Sequence, residues 1–180
     1  MNRNSVSLTR AKAWATNPSI QKADQQEIQV LIDQENWKEI EERFYRDIEF
    51  GTGGLRNILG MGTNRLNKYT VGRATWALGL TLKEAFPNEK NLKVAISYDS
   101  RKYSPEFAKV VAEVLASLEI SSVLYPELRP VPFLSFSIRY HRAHAGVMIT
   151  ASHNPPNYNG YKVYWDDGAQ VIPPWDEKII

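Results

Sequence analysis

The 180-residue chain contains no cysteine, which excludes disulfide scaffolds, thiolate metal sites and cysteine nucleophiles together. No apolar run approaches the roughly 18 residues needed to cross a bilayer, and Met1-Asn2-Arg3-Asn4-Ser5 lacks the apolar stretch of a signal peptide. Glycine and proline number ten each, too few for a collagen-like or low-complexity chain. A cytoplasmic protein without a membrane partner is the expectation. The net charge is only +2, which gives no ground for a nucleic-acid partner.

A second scarcity is local. Residues 50–83 and 128–165 hold no Asp or Glu, although the chain has 20 acids; each window should hold about four on the chain average. The windows carry nine cations, Arg56, Arg65, Lys68, Arg73, Lys83, Arg129, Arg139, Arg142 and Lys162, and all three histidines. A local anion site is the reading these windows support best.

What is present reads as an N-terminal helical arm over residues 1–49, then an α/β domain over 50–180. Ile28, Leu31 and Ile32, then Trp37, Ile40 and Phe44, recur at helical spacing. Gly51-Thr52-Gly53-Gly54 and Gly60-Met61-Gly62 read as loops that let backbone approach closely. A helix is expected from about Thr70, with the Thr70 hydroxyl as cap; another from Ser104, capped by its own hydroxyl with Pro105 in the first turn; a third over residues 132–142. Residues 92–97, 121–124, 145–150 and 160–165 read as strands. Strands and helices in alternation predict a mixed, mostly parallel sheet with helices on both faces. Asp166-Asp167-Gly168 predicts a closing hairpin with residues 170–172. Pro173-Pro174-Trp175-Asp176-Glu177 opens a helix with almost no chain left, so the expectation is a truncated chain.

In open sheets of this kind ligands lie beyond the carboxyl ends of the strands. Tyr98-Asp99-Ser100-Arg101, residues 126–132 and Thr150-Ala151-Ser152-His153-Asn154-Pro155-Pro156 fall there. The last puts a hydroxyl in a proline-stiffened, acid-free loop. A serine hydrolase would need a nucleophile elbow such as G-x-S-x-G, which is not there. A phosphoryl carrier needs an exposed hydroxyl, cations on the equatorial oxygens and a base. Alternation along residues 160–165 sets Lys162 opposite Tyr161 and Val163, and so outward if those two are core. His141 and His144 lack a third ligand at metal spacing and read as helix-end residues. Asp166 and Asp167 read as turn chemistry.

Thr150 to Pro156, followed by Asn159-Gly160-Tyr161-Lys162, resembles the active-site signature of the α-D-phosphohexomutases, the phosphoglucomutase/phosphomannomutase family. Phe50-Gly51-Thr52-Gly53-Gly54-Leu55-Arg56 is similar to that family's phosphate-contacting segment, and Tyr98-Asp99-Ser100-Arg101 to its next loop. The resemblance implies Ser152 as phosphoserine, His153 and Lys162 as acid/base or phosphate-contacting groups, Arg56 and Arg101 as stabilising cations, and Asn154 as a holder of the loop. It implies interconversion of hexose 1-phosphate and 6-phosphate through a sugar bisphosphate, with Mg²⁺ bound partly by the Ser152 phosphoryl group and a glucose 1,6-bisphosphate-type activator. It also implies partner domains II–IV. The Asp-Gly-Asp-Gly-Asp-Arg metal loop of the second is not among these residues, so residues 1–180 alone are expected to be inactive.

Two geometric expectations follow: Arg56, Arg101, His153 and Lys162 converge on the Ser152 hydroxyl, and the Ser152 loop closes the strand over residues 145–150. The competing reading is a non-catalytic phosphate- or nucleic-acid-binding α/β module, with Tyr98, Tyr103, Tyr158, Tyr161 and Tyr164 as a stacking surface.

Overall fold

The computed structural model describes residues 6–51 and 53–179; Thr52 of the glycine-rich segment, Ile180 and the first five residues lie outside them. Three helices open the chain, α1 (Val6–Thr16), α2 (Lys22–Asp33) and α3 (Trp37–Phe44). Then come β1 (Gly54–Ile58), α4 (Lys68–Ala85), β2 (Lys93–Tyr98), α5 (Ser104–Ser117), β3 (Ser121–Leu124), α6 (Val131–Tyr140), β4 (Ala145–Ile149) and β5 (Tyr158–Trp165).

The sheet order is β1-β5-β4-β2-β3. β2 pairs in parallel with both β3 and β4, whereas β5 runs antiparallel to both β4 and β1. Four strands therefore share one direction and β5 alone opposes them. β4 is buried at every position, as a strand covered on both faces must be. Ala145, Val147 and Ile149 turn toward α4 and α5, where Val71, Leu78, Leu82, Val111 and Leu115 are fully buried. Met148 turns to the other face, against Leu134 and Ile138 of α6. Helices on both faces are thus observed as expected.

Several local expectations are corrected. The glycine-rich segment is not all loop: from Gly54 it forms the edge strand β1, and a Cβ on Gly54 would stand 2.2 Å from the Tyr161 carbonyl oxygen. Asn67, not Thr70, caps α4; its side chain accepts from the Tyr69 and Thr70 amides, and Thr70 answers as the other half of a capping box. The predicted closing hairpin is reduced to a single bridge, Tyr164 to Gln170, because β1 already occupies that side of β5. Residues 176–178 form one 3-10 turn.

The arm has its own small core of Leu8, Ala11, Ile28, Ile40 and Phe44. Ion pairs line its seam with the sheet domain. Arg65 reaches Glu39 at 3.2 Å and Glu42 at 3.4 Å, Lys68 reaches Asp24 at 2.6 Å, and Arg73 reaches Asp47 at 3.0 Å. Three of the cations that marked an anion site in the sequence are therefore counter-ions to the acidic arm. The sequence deficit was real, but its partners lie upstream in the chain.

Burial by itself would push the Glu39 carboxyl up, yet hydrogen bonds and charge from Arg43 and Arg65 outweigh it and hold the group below the usual range. A carboxylate depressed in the folded state adds stability above its unfolded pKa and loses it as pH falls through the folded value. Glu39→Gln is expected to cost about 1 kcal/mol at neutral pH, allowing for solvent screening. The difference from the parent should shrink toward zero below pH 4, as read by urea unfolding followed on the arm's tryptophans.

Candidate active site

Tyr98 at the end of β2 pairs with Ile149 at the end of β4, so the two loops that follow emerge side by side. Their connections then lead away to α5 and to β5, at the end of the sheet where open α/β sheets hold ligands. Ser152 lies in the loop after β4, at that strand's carboxyl end as expected. It occupies the first corner of a turn closed by the Asn154 amide on the Ala151 carbonyl at 3.1 Å, with φ +57. That backbone region costs a side-chain-bearing residue about 1–2 kcal/mol, and a serine held there is displayed outward, exposed. Such strain persists only where surrounding contacts impose it.

Those contacts begin with Arg101. Its Nη1 donates to the Pro155 and Tyr158 carbonyls at 2.9 and 3.1 Å, and its Nη2 to those of Ser152 and Asn154 at 2.8 and 2.7 Å. Arg101 therefore holds the loop backbone and does not aim at the Ser152 hydroxyl; its donors are engaged by carbonyls. Asp99 steadies both loops. One carboxylate oxygen accepts from the Arg101 amide and the Ser104 hydroxyl, and the other accepts from the Thr150 hydroxyl at 2.6 Å. Thr150 in turn accepts from the Ser152 amide at 3.0 Å.

Ser104 corrects the sequence reading. The residue preceding α5 as its cap is Tyr103, and the buried Ser104 hydroxyl joins Asp99 to the buried Asn159, whose amide donates to it at 2.9 Å. Gly160 follows because a Cβ there would meet the Thr150 carbonyl oxygen at 2.5 Å and that of Leu55 at 2.9 Å. Ser104, Thr150 and Asn159 were missed as site-building residues. Their signal was their short polar side chains, inside the motif for Thr150 and Asn159 and at a helix start for Ser104, which look the same as turn or cap chemistry until the loops are brought together.

The other expected residues divide. Arg56 on β1 donates to the Asn154 side chain at 2.9 Å, so both touch the loop. His153 Nδ1 stands 3.5 Å from Ser152 Oγ, at the limit of a hydrogen bond. Lys162 lies between fully buried Tyr161 and Val163 and faces the other way. It shares a cleft of about 450 Å³ with Arg56, Gly54, Arg46 and Glu49. Burial, and next the charge of Arg56, hold the Lys162 ammonium below the usual lysine range. Convergence is thus partial: Arg56, Asn154 and His153 meet the Ser152 loop, Lys162 lies on the adjoining cleft wall, and Arg101 braces from behind.

The tyrosine stacking surface does not form. Tyr161 and Tyr164 are buried in the cores on opposite faces of the sheet, and the Tyr98 hydroxyl is tied to the Pro126 carbonyl. His141 caps α6 and meets the Tyr125 hydroxyl at 3.0 Å; His144 accepts from the Lys93 amide. His141 is a helix-end residue, as read; His144 instead stands just before β4, its own amide donating to the Lys93 carbonyl. Asp167 accepts from the Ala169 amide in its turn.

A divalent cation does not find its ligands here. Among the described residues no three His, Asp or Glu side chains gather into a metal site, and both Asp99 oxygens already accept hydrogen bonds. The residues present do not fit Mg²⁺ as a complete site.

A model of the family described as phosphoglucomutase/phosphomannomutase, alpha/beta/alpha domain I, matches residues 47–180. A phosphoglucomutase of Staphylococcus epidermidis is 49% identical over 138 residues, which are 74% of this chain and 24% of that protein. A human phosphopentomutase is 39% identical over 155 residues, 83% of this chain and 25% of that one. The solved structure of a Thermus thermophilus protein assigned as a phosphomannomutase superposes with a TM-score of 0.67 at 31% identity, over 74% of this chain and 29% of the other. The chain spans about a quarter of the length of these curated relatives.

Two outcomes test this geometry. Arg101→Met should destabilise the fold by about 2–3 kcal/mol and raise amide exchange across residues 151–158 before any other segment, as read by hydrogen–deuterium exchange. Arg56→Gln should raise the Lys162 pKa, since it removes a neighbouring positive charge; lysine Cε chemical shifts against pH report it.

Proposed function

Because the chain belongs to the phosphoglucomutase/phosphomannomutase family, as its domain I, we propose that it carries the phosphoryl-accepting serine of a sugar-phosphate mutase, and that this serine is Ser152. The observation that supports this most is the Ser152 hydroxyl itself. It is exposed on strained backbone, braced by Arg101 and Asp99, and its loop is joined through Asn154 to Arg56, which lines a cleft with Lys162. A hydroxyl fixed in this way can attack, and its phosphate ester can be attacked at phosphorus, without first ordering the loop, and positioning of that kind can be worth ~7–11 kcal/mol.

The reaction that fits is a double transfer. In the phosphorylated form, a free hydroxyl of the sugar monophosphate attacks the phosphorus and gives up its proton to His153 or Lys162. The Ser152 Oγ–P bond breaks, Oγ takes up a proton, and a sugar bisphosphate is left. After that intermediate turns over, Ser152 Oγ attacks the other phosphoryl group and passes its proton to the same base, while that group's bond to the sugar oxygen breaks and the sugar oxygen takes up a proton, releasing the isomeric monophosphate. Arg56 and Lys162 oppose the charge on the phosphoryl oxygens, and the lowered ammonium pKa suits Lys162 to proton exchange.

Hexose 1- and 6-phosphates are the proposed substrates, with a glucose 1,6-bisphosphate-type activator to load Ser152. Mg²⁺, when bound, would neutralise phosphoryl charge. This chain's share would be an oxygen of the Ser152 phosphoryl group, and the other ligands are proposed to come from the part of the polypeptide that corresponds to domain II of the relatives. Residues 1–180 alone are therefore proposed not to turn over.

The test is a coupled assay on the full-length protein with glucose 1-phosphate and, in parallel, ribose 1-phosphate. Ser152→Ala should lower kcat at least about a thousandfold while the melting temperature stays close to the parent's. Phosphopeptide mapping that put the label on Thr150 would overturn the assignment. A preference for ribose 1-phosphate would keep Ser152 and replace the hexose with a pentose.

A further inference from the structure

The cleft beside Ser152 has a wall that no motif in the sequence announced. Arg46, in the segment between α3 and β1, lines it together with Arg56 and Lys162. The backbone there is fixed: the Arg46 carbonyl accepts from the Thr63 hydroxyl at 2.7 Å, the Ile48 amide donates to the Thr63 carbonyl at 2.7 Å, and Asp47 is paired with Arg73. The side chain is less constrained. Its Nη1 sits 2.6 Å from Glu49 Oε1, and the two side chains are 45% and 70% exposed. An exposed pair of this kind holds by only ~0.2–1 kcal/mol, so it yields readily to a stronger anion.

The cleft thus has three cations and a single acid, Glu49, on its wall. The positive charge is unbalanced at Lys162, where Arg56 adds to the cost of keeping the ammonium charged. A phosphoryl dianion relieves that imbalance. It also offers a guanidinium two parallel acceptors, a geometry that arginine matches and lysine does not.

We propose that Arg46 is a substrate-binding residue of this cleft: it exchanges its Glu49 partner for the phosphoryl oxygens of a bound sugar phosphate, beside Arg56 and Lys162. Glu49 holds the guanidinium over the cleft until the anion arrives and competes with it for Arg46. The inference rests on the sugar-phosphate reading of the site. It extends that reading to the arm side of the cleft, one residue before the stretch matched by the family's domain I.

The experiment uses the full-length protein, with steady-state KM and kcat measured on glucose 1-phosphate. Arg46→Ala should raise KM about tenfold, the loss of one charged hydrogen-bonding group, with kcat within about twofold because ground and transition states lose the contact alike. Arg46→Lys should recover part of that loss. Glu49→Gln should lower KM about two- to threefold, the same modest pair energy read in reverse. Opposite signs for the two members of one ion pair distinguish substrate positioning from a structural bridge, which both variants would damage alike. A KM for Arg46→Ala within twofold of the parent's, or a rise in KM for Glu49→Gln, would overturn the proposal. Ser152→Ala run alongside separates the two readings. If it is inactive and Arg46→Ala is unchanged, only the role of Arg46 falls; if it retains turnover, the phosphoserine falls while the Arg46 result still stands on KM.

Discussion

One guanidinium holds the Ser152 loop in shape. The loop has little regular pairing of its own: the Asn154 amide reaches Ala151 and the Tyr158 amide reaches Pro155, while the carbonyls of Ser152, Asn154, Pro155 and Tyr158 all face one donor. Arg101 gathers all four. A planar, permanently charged fork can satisfy several acceptors at once without a change of protonation, and hydrogen bonds with a charged donor are the stronger kind. Asp99 then fixes Arg101, Thr150 and Ser104 from the adjacent strand end. The serine's left-handed backbone is held by these bonds, whose combined strength exceeds the ~1–2 kcal/mol that the conformation costs.

The same constraint explains why the site's cations divide into two kinds. Arg101 is largely covered and neutralised by dipoles and by Asp99, so it contributes rigidity. Arg56 and Lys162 stand at the cleft, short of counter-charge, and contribute field. Sheet register separates them. Gly54 opposite Lys162, and Arg56 opposite Gly160, place a glycine beside each long cation, which leaves room for both side chains and brings β1 close to β5.

The arm makes a different use of charge. Its acids meet Arg65, Lys68 and Arg73 across the seam with the sheet domain, while Trp14 packs edge-on against Phe44 and Tyr69. Apolar contact supplies the adhesion, and ion pairs that are individually weak set the register. Because the segment leaving the arm also carries Arg46 and Glu49 to the cleft, arm docking and cleft shape are mechanically joined.

The sequence alone determined the elements that depend on near neighbours. The apolar spacing of Phe107, Val111 and Leu115 in α5, the alternation that sends Lys162 away from Tyr161 and Val163, and the continuous burial of β4 are short-range patterns, and each is legible because its period is its cause. The motif around Ser152 marked out the loop after β4 for the same reason: it is written in consecutive residues. Tertiary structure decided the rest. It placed β1 against β5, turned Ser104 from a cap into a buried link, and gave Arg101 to the loop backbone instead of the hydroxyl. It assigned most cations of the first acid-poor window to carboxylates far upstream in the chain. Charge acts through space, so a sequence window records which charges are scarce nearby and is silent on which arrive when the chain folds.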